Sequence, residues 1–564
     1  MFIPIVLFSL VLVGRLYMLQ VLAGSEFTAR AENQYVRPNY HHFNRGDIYM
    51  QDLTGGLVPL ATTQSGYFVW VNPQTVEDPE FLWEEISQIR ELDKDRFIRR
   101  LEEAADSDKN YLEIAHNLDR QEVIDWQRLE SDQLTFHPQS WRYYPGRNLA
   151  SHLTGFVGYT EDQQQGQYGL ERYYENVLHK GDMDLRIDFF AQVFMNLGGS
   201  ESGEESDHQE GDIITTINPD VQVQLERRLD SLHRETNGRL TAGIIMDPET
   251  GAVRAMAALP DYDLNNYSQT EEISLFSNPN VESVFEMGSV IKPITIAAGL
   301  DAGVINVDSQ YYDEGRIEVD NFTIANFDGR GRGYIDMQDV LNHSVNTGVV
   351  HIMDQMGSQS FAEYMRGFGL DRKTEIDLPN EADNMIRSFD SPRRVEYATA
   401  AFGQGIALTP IGTARALSAL ANGGRVVRPY LVEAVRDEDG HYHNLDRPQK
   451  EHRAISQETS ETITRMLVNT VDEALLHGEV KRERYSIAAK TGTAQIPQTD
   501  ARGYRDDAFL HTFFGYFPAY DPELIIFLYV LEPQGYQYAS QSLTHPFMDL
   551  TDFLINYYDI VPDR

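Results

Sequence analysis

Three short motifs in the second half of the chain contain residues that could act as nucleophile, base and anion-binding group. Ser289 and Lys292 lie in EMGSVIKP, Ser344 and Asn346 lie in LNHSVNTG, and residues 490–493 lie in IAAKTGTAQ. The first pair is the only S-x-x-K in the chain, which has eight lysines. Each motif alone also fits an ordinary helix start or turn, so the interpretation depends on their combination.

The S-x-x-K spacing places its two polar side chains on one helix face, because residues i and i+3 are neighbours there. A serine hydroxyl needs a base to become a nucleophile, and a neutral amine would serve. The positive end of the helix dipole would lower the pKa of Lys292, and so would burial by Phe285, Met287 and Ile291. The alternative is structural: Ser289 caps the helix and Lys292 is solvated.

The other two motifs differ in how often they arise by chance, and therefore in how strongly they indicate a functional site. S-x-N at Ser344 and Asn346 is common by chance and fits a helix cap or turn. K-T-G is rarer in a chain with so few lysines, and it follows a short extended run. Lys490 with the hydroxyls of Thr491 and Thr493 suits an anionic ligand, and Gly492 lets a substrate backbone approach.

Composition excludes several other chemistries. The 564-residue chain has a formal net charge of −40, which disfavours nucleic acid and anionic lipid. It has no cysteine, so disulfides, thiolate catalysis and Cys-ligated zinc are excluded. It lacks a Walker A loop, H-E-x-x-H and G-x-S-x-G, and no motif in the sequence requires a metal or an organic cofactor. The glycine-rich GRGRG at 329–333 is interpreted as a turn.

The chain is long enough for two or three domains. The apolar residues 1–24 predict an uncleaved membrane anchor, cut short at its cytoplasmic start; a cleaved signal or a buried helix is the alternative. Residues 25–212 mix strands and charged helices, and the acidic, Gly/Ser-rich stretch 198–212 predicts a linker or exposed hairpin. Residues 213–564 begin and end with strands around central helices, which predicts an α+β domain with a mostly antiparallel sheet flanked by helices.

The order S-x-x-K, S-x-N, K-T-G is the one found in penicillin-binding proteins and class A β-lactamases. The chain closely resembles the class B penicillin-binding proteins, which are monofunctional peptidoglycan D,D-transpeptidases. The resemblance runs over nearly the whole chain. It rests on the three motifs, on RLYMLQV, on RGDI at 45–48, on the segments 143–158 and 169–178, and on AFGQGIALTPIGTARALSALANGG at 401–424. It implies a membrane anchor, an elongated mixed α/β pedestal domain and a transpeptidase domain.

The resemblance also implies roles for the motif residues. Ser289 would attack the penultimate carbonyl of a stem peptide ending in D-Ala-D-Ala, and Lys292 would take the serine proton. Ser344 would relay a proton to the leaving D-alanine, and Asn346 would hold Lys292 and the donor amide. Lys490 would supply positive charge for the terminal carboxylate of the donor and would help to keep Lys292 neutral by repulsion. Thr491, Gly492 and Thr493 would bind the donor, and the backbone N–H groups of Ser289 and Thr493 would form the oxyanion hole.

Location and partners follow from the same resemblance. The protein is expected to cross the cytoplasmic membrane once, with its catalytic domain outside the cytoplasm. Its expected partners are peptidoglycan stem peptides, β-lactams, a SEDS-type glycosyltransferase and other membrane proteins of division or elongation. The S-x-N form and FGLDRKTEIDLP at 368–379 favour the division type over the elongation type. A serine β-lactamase, a β-lactam sensor and a non-catalytic scaffold for wall synthesis are the other candidates.

Overall fold

The computed structural model describes residues 43–564 apart from 108, 130, 132, 161–162, 181–209, 446–449 and 499–502. The chain forms two compact units. The smaller contains Thr63–Arg142, and the larger contains Arg45–Thr62, Tyr143–Lys180 and residues 210–564.

The predicted anchor at 1–24 and most of the predicted linker at 198–212 lie outside the described residues. The domain boundaries at 24 and 212 therefore stay predictions. Within the described ranges, no helix is both long enough and apolar enough to cross a membrane.

The smaller unit contains a three-stranded sheet with helices packed on it. The strand Leu57–Val71, from residue 63 onward, pairs with Leu112–Leu118 and with Thr135–Tyr143. Alternate residues such as Val69 and Val71 join the buried core, as the two-residue period of a strand requires. An aspartate side chain caps the N-terminus of each helix, where the helix dipole favours a negative charge. The helices are Pro79–Ser87, Lys94–Asp106 and Arg120–Gln127.

The larger unit contains a five-stranded antiparallel sheet, in agreement with the mostly antiparallel sheet predicted for residues 213–564. Its strands in chain order are Leu240–Met246 (β1), Val253–Leu259 (β2), Ala488–Pro497 (β3), Tyr504–Phe517 (β4) and Leu524–Leu531 (β5). Their order across the sheet is β3-β4-β5-β1-β2, so the K-T-G strand β3 lies at one edge. The first two strands and the last two lie towards the two ends of residues 213–564, where the sequence predicts strands, and this confirms the predicted sheet.

Helices cover both faces of this sheet. Phe513 and Phe514 are adjacent on β4 and therefore point to opposite faces, where each joins a separate buried cluster. The cluster with Phe513 includes apolar residues of two helices, and the cluster with Phe514 includes those of four helices around the motifs. The helices are Pro219–Thr236 (α1), Lys292–Asp301 (α2), Asn346–Met356 (α3), Pro410–Ala421 (α4), Gln457–Asn469 (α5) and Thr544–Tyr557 (α6); α1 and α6 cover the Phe513 face.

A second group of strands in the larger unit contains the segment RGDI. Ile48–Gln51 pairs in parallel with Asp212–Thr215, which pairs with Val432–Arg436. Beside it, the buried Arg45 guanidinium donates to Glu171 Oε2 at 2.6 Å and to Glu175 Oε2 at 2.7 Å. These two carboxylates raise the pKa of Arg45 although burial opposes the shift. The ion pair joins two segments on which the family resemblance rests.

The rest of the larger unit is made of short hairpins and helices around the motifs. The paired strands are Tyr311–Asp313 with Gly333–Ile335, Arg316–Val319 with Phe322–Ala325, Arg425–Val427 with Lys450–Arg453, Val432–Arg436 with Tyr442–Asn444, and Val157–Thr160 with Gln163–Gly166. The short helices include Ser151–Thr154, Gly169–Tyr173, Glu175–Leu178, Pro279–Glu282, Met337–Asn342, Ser358–Gly367, Arg394–Ala400 and Ala539–Ser542.

Candidate active site

Ser289 lies in a single 3-10 turn, Gly288–Ile291, that runs directly into α2. The N-cap residue of α2 is Ile291, and no side chain caps this helix. Ser289 therefore does not have the capping role that the structural alternative gave it. Its side chain is half-buried at the surface of the larger unit.

The K-T-G strand lies directly against this turn. Thr512 Oγ1 on β4 donates to the Met287 carbonyl at 2.9 Å, which ties the sheet to the turn. A side chain at Gly492 would start only 2.9 Å from that carbonyl and 3.1 Å from the Val290 nitrogen. Glycine is required here because the backbone of β3 approaches the backbone of the Ser289 turn.

Lys292 is completely buried and contacts the S-x-N motif. Its side-chain amine donates to Ser344 Oγ at 3.0 Å and also to the Ser344 carbonyl. Ser344 lies in the turn between the helix Met337–Asn342 and α3, with a left-handed φ of 53°. The first two motifs are therefore joined by hydrogen bonds between Lys292 and a single residue.

The electrostatics of this cluster favour a neutral amine. Burial lowers the pKa of Lys292 well below its usual 10.5, and the positive charges of Lys490 and Arg332 lower it further. Lys490 is also buried, which lowers its own pKa to about 8, and its amine donates to the Thr491 carbonyl at 3.0 Å. Two buried amines close together cannot both be charged without a large penalty, so one of them can serve as a base.

The other predicted residues lie around this cluster. Asn346 is the first residue of α3, and its side-chain amide donates to the Ala325 carbonyl at 2.8 Å. Thr493 Oγ1 accepts the Ala539 N–H at 3.0 Å. A Cβ on Gly288 would lie 3.4 Å from the Thr493 carbonyl carbon, so Thr493 is adjacent to the Ser289 turn. The catalytic and oxyanion-hole roles of these residues stay predictions.

Sequence reasoning missed a buried polar network beside the S-x-N motif. The buried carboxylate of Asp313 accepts hydrogen bonds from the Asn326 amide at 3.0 Å, from the Arg332 N–H at 3.0 Å and from Thr347 Oγ1 at 2.8 Å. Thr347 follows Asn346, so the network fixes the start of α3. The segment GRGRG, interpreted as a turn, therefore brings the cation Arg332 to the site.

A second missed contact lies next to the Ser289 turn. Tyr504 Oη, at the start of β4, donates to Glu286 Oε2 at 2.9 Å. Burial raises the pKa of Glu286, while the hydrogen bond from Tyr504 opposes that rise. The two residues are 218 positions apart, and no sequence signal connects them. Within the described ranges, no three His, Asp or Glu side chains are grouped to hold a metal ion.

Comparison with known families agrees with this geometry. Residues 241–550 match the penicillin-binding protein transpeptidase domain, and residues 42–188 match the penicillin-binding protein dimerisation domain. The chain belongs to the penicillin-binding protein family and has its two-domain fold, and its larger matched region makes it a transpeptidase.

Several characterised proteins are similar over nearly the whole chain. Stage V sporulation protein D of Bacillus subtilis is 29% identical over 533 residues, which cover 94% of this chain and 80% of that protein. The peptidoglycan D,D-transpeptidase FtsI of Escherichia coli K12 is 25% identical over 569 residues, covering 98% of this chain and 90% of that protein.

A solved structure shows the same fold. Penicillin-binding protein 3 of Mycobacterium tuberculosis, complexed with aztreonam, superposes with a TM-score of 0.69 at 21% identity. The match covers 92% of this chain and 97% of that chain.

Proposed function

We propose that this chain cross-links peptidoglycan by D,D-transpeptidation through an acyl-enzyme on Ser289. The observation that carries the proposal is the buried amine of Lys292, which contacts Ser344, together with Gly492, which brings the K-T-G strand against the Ser289 turn. A half-exposed serine with a neutral amine three residues further along the chain is the pairing of nucleophile and base that acyl transfer requires.

The edge position of β3 gives the donor peptide a place to bind. Within the described residues, β3 pairs with β4 alone, so its other edge can accept an extended peptide by strand addition. The terminal carboxylate of the donor then meets Lys490 and the hydroxyls of Thr491 and Thr493. A charged Lys490 would bind that anion and would also keep Lys292 neutral by repulsion.

The reaction proceeds in two steps. Ser289 Oγ attacks the carbonyl of the penultimate D-alanine, its proton passes to Lys292 Nζ, and the N–H groups of Ser289 and Thr493 stabilise the oxyanion. One such donor contributes about 3–4 kcal/mol to transition-state binding. The tetrahedral intermediate then collapses: the C–N bond breaks, and Ser344 relays the proton from Lys292 to the departing D-alanine amine.

The acyl group is then transferred to a second strand. An amine of a neighbouring stem peptide attacks the ester carbonyl, its proton passes to Lys292, and Ser289 recovers its own proton as the new amide forms. β-Lactams carry a strained amide and a carboxylate in a comparable arrangement, so they should acylate Ser289 and stop there.

The finer assignments belong to the same proposal. The S-x-N form and residues 368–379 favour a role in the division septum over elongation of the side wall. The protein would be held in the cytoplasmic membrane by residues 1–24, with both units outside the cytoplasm, and would work with a SEDS-type glycosyltransferase that supplies glycan strands.

Labelling with a fluorescent penicillin tests the proposal. The parent protein should form a stable covalent adduct on the peptide that contains Ser289, and Ser289→Ala should form none. Ser283→Ala, at the nearest preceding serine, is the matched control and should label normally. Labelling of folded Ser289→Ala would refute the assignment, and rapid nitrocefin turnover would identify a β-lactamase instead.

A further inference from the structure

Two aromatic side chains from distant parts of the chain meet beside the motif residues. The rings of Phe327 and Tyr538 pack edge to face, with centroids 5.7 Å apart and planes at 76°. Phe327 is 58% exposed, which is unusual for a phenylalanine held in an ordered turn. Because the Phe327 ring is mostly exposed, its burial adds little to the stability of the core. Core packing therefore does not explain its contact with Tyr538.

Phe327 is attached to the S-x-N side of the site. It follows the strand Phe322–Ala325, whose last residue accepts the hydrogen bond from the Asn346 amide. Its neighbour Asn326 is buried and bonded to Asp313, and Asp328 accepts the Arg332 guanidinium at 3.0 Å. The turn that presents the phenyl ring is therefore anchored on both sides.

Tyr538 is attached to the K-T-G side. The next residue, Ala539, donates its N–H to Thr493 Oγ1 at 3.0 Å. The Tyr538 N–H is itself bonded to Gln541 Oε1 at 3.2 Å. The tyrosine ring is thus presented by a turn that is fixed to β3.

We propose that Phe327 and Tyr538 form an aromatic clasp across the opening between the S-x-N turn and β3, and that this clasp selects which acyl donors reach Ser289. The inference rests on the proposed function, because Ser289 is taken as the nucleophile. Donors with a wide side chain must separate the two rings before they enter, whereas narrow donors pass beneath them.

The energetics of the contact suit a selective device. An edge-to-face pair is weak enough to open thermally, yet strong enough to keep the closed state in the majority. If a ligand binds only the open state, its apparent affinity is the intrinsic affinity multiplied by the fraction of molecules that are open. Removing one ring should therefore speed acylation by wide β-lactams and leave narrow ones almost unchanged.

Two β-lactams of different width test the clasp. Phe327→Ala should raise the second-order acylation rate constant for a penicillin with a bulky fluorescent acyl group by roughly threefold to tenfold. The rate for 6-aminopenicillanic acid, whose side chain is an amine, should change by less than about twofold. Tyr538→Phe keeps the ring and should behave as the parent protein does.

The chain offers a matched control in the same unit. Tyr312 and Tyr334 also form an edge-to-face pair, with centroids 5.0 Å apart, and Tyr312 is 53% exposed. They lie on the paired strands Tyr311–Asp313 and Gly333–Ile335 rather than on the two sides of the site. Tyr312→Ala should leave both rates unchanged, so a general effect of removing an exposed ring would be recognised.

The absence of cysteine from the sequence allows a direct lock. The double variant Phe327→Cys, Tyr538→Cys, bridged by a short bis-methanethiosulfonate reagent, should react with the bulky penicillin far more slowly than the same protein after reduction. The two single-cysteine variants, treated with the same reagent, should lose less activity and control for the added bulk.

The outcomes separate this inference from the proposed function. If 6-aminopenicillanic acid and the bulky penicillin both fail to acylate the parent protein, the proposed function is wrong. If both ligands acylate the parent protein, the clasp is tested by the ratio of the two acylation rates. The clasp proposal is refuted if Phe327→Ala leaves that ratio unchanged or slows acylation by the bulky penicillin. Equal reactivity of the bridged and reduced double variants would also overturn it.

Discussion

The side-chain amine of Lys292 donates to Ser344 Oγ at 3.0 Å, although the two residues are 52 positions apart. The same amine donates to the Ser344 carbonyl, and Ser344 adopts a left-handed φ of 53°. The turn thus directs both oxygens of one residue at one buried amine. Because the carbonyl can hold the amine in place without the hydroxyl, the positioning and the proton relay can be tested separately.

Replacement of the Ser344 hydroxyl should slow the chemistry while leaving the fold intact. In Ser344→Ala the carbonyl still accepts from Lys292, but the proton can no longer pass through the hydroxyl to the leaving group. General acid–base groups typically contribute about 10²–10⁴-fold to a rate. We therefore expect acylation by a fluorescent penicillin to fall by roughly a hundredfold or more, measured as a time course of label incorporation.

A glycine at the same position separates backbone from side chain. Ser344→Gly should be at least as stable as Ser344→Ala, because glycine adopts positive φ without a steric penalty. Both variants should acylate equally slowly. If Ser344→Ala reacts at the parental rate, Ser344 takes no part in proton transfer.

The parts of the site that the sequence predicted are those with a local signature. The three motifs combine rare residues at fixed spacing, and the strands around K-T-G show buried apolar runs. Folding then brings Lys292, Ser344 and Gly492 together because the helices and the sheet share one core. The motifs therefore indicate which segments come together, but not every contact between them. The family resemblance implies that Asn346 holds Lys292, whereas the Asn346 amide donates to the Ala325 carbonyl.

The contacts that the sequence could not predict depend on long-range burial. Asp313, Asn326 and Thr347 are ordinary polar residues until the fold buries them side by side, and nothing local marks them as partners. The causes of the lowered Lys292 pKa could be predicted only in part. Burial and repulsion by Lys490 were predicted and are the two largest causes, whereas the contribution of Arg332 was not predicted, because no motif links residue 332 to Lys292.

Removal of the Arg332 charge should shift the pH dependence of acylation. The positive guanidinium lowers the pKa of Lys292, so Arg332→Gln should raise that pKa. Lys292 accepts a proton only when it is neutral, so the fall in rate on the acid side should begin at a higher pH. The measurement is the second-order acylation rate constant between pH 5 and pH 9.

Two variants of the same loop control for other effects. Arg332→Lys keeps the positive charge and should keep the parental pH profile, and Arg330→Gln removes an exposed charge two residues away. A profile for Arg332→Gln that overlays the parental one would show that the guanidinium does not act on Lys292.

A side chain at Gly492 should push the K-T-G strand away from the Ser289 turn. In Gly492→Ala the new Cβ would meet Thr512 Oγ1, and it would lie 2.9 Å from the Met287 carbonyl, which is backbone and cannot rotate away. Overpacking of this kind costs about 1–3 kcal/mol. We expect a lower midpoint of thermal unfolding and markedly slower acylation.

Gly367 provides the matched alanine control. It ends the helix Ser358–Gly367, and a Cβ there would meet its nearest described atom, Ala454 Cα, only at 4.0 Å. Gly367→Ala should leave both the unfolding midpoint and the acylation rate near the parental values. Parental acylation in Gly492→Ala would mean that β3 can shift without affecting the nucleophile.

A buried carboxyl far from the motifs should make stability depend on pH near neutrality. Glu226 Oε1, on α1, accepts from the Ala150 N–H at 2.7 Å and from the Gln222 amide at 2.8 Å. Burial raises the pKa of Glu226 from 4.5 to about 7, with a smaller contribution from Asp261, although both hydrogen bonds oppose the rise. The folded chain therefore binds more protons at this position than the unfolded chain between these two pH values.

By proton linkage, the free energy of unfolding falls as the pH rises wherever the folded state holds more protons than the unfolded state. Glu226→Gln keeps an oxygen for the Ala150 N–H and removes the titration, so the parent should lose roughly 2–3 kcal/mol relative to the variant from pH 4.5 to pH 8. Urea unfolding should be followed by circular dichroism, because all four tryptophans lie in the smaller unit. Parallel curves for the two proteins would show that the Glu226 carboxyl is already ionised in the folded protein at acid pH.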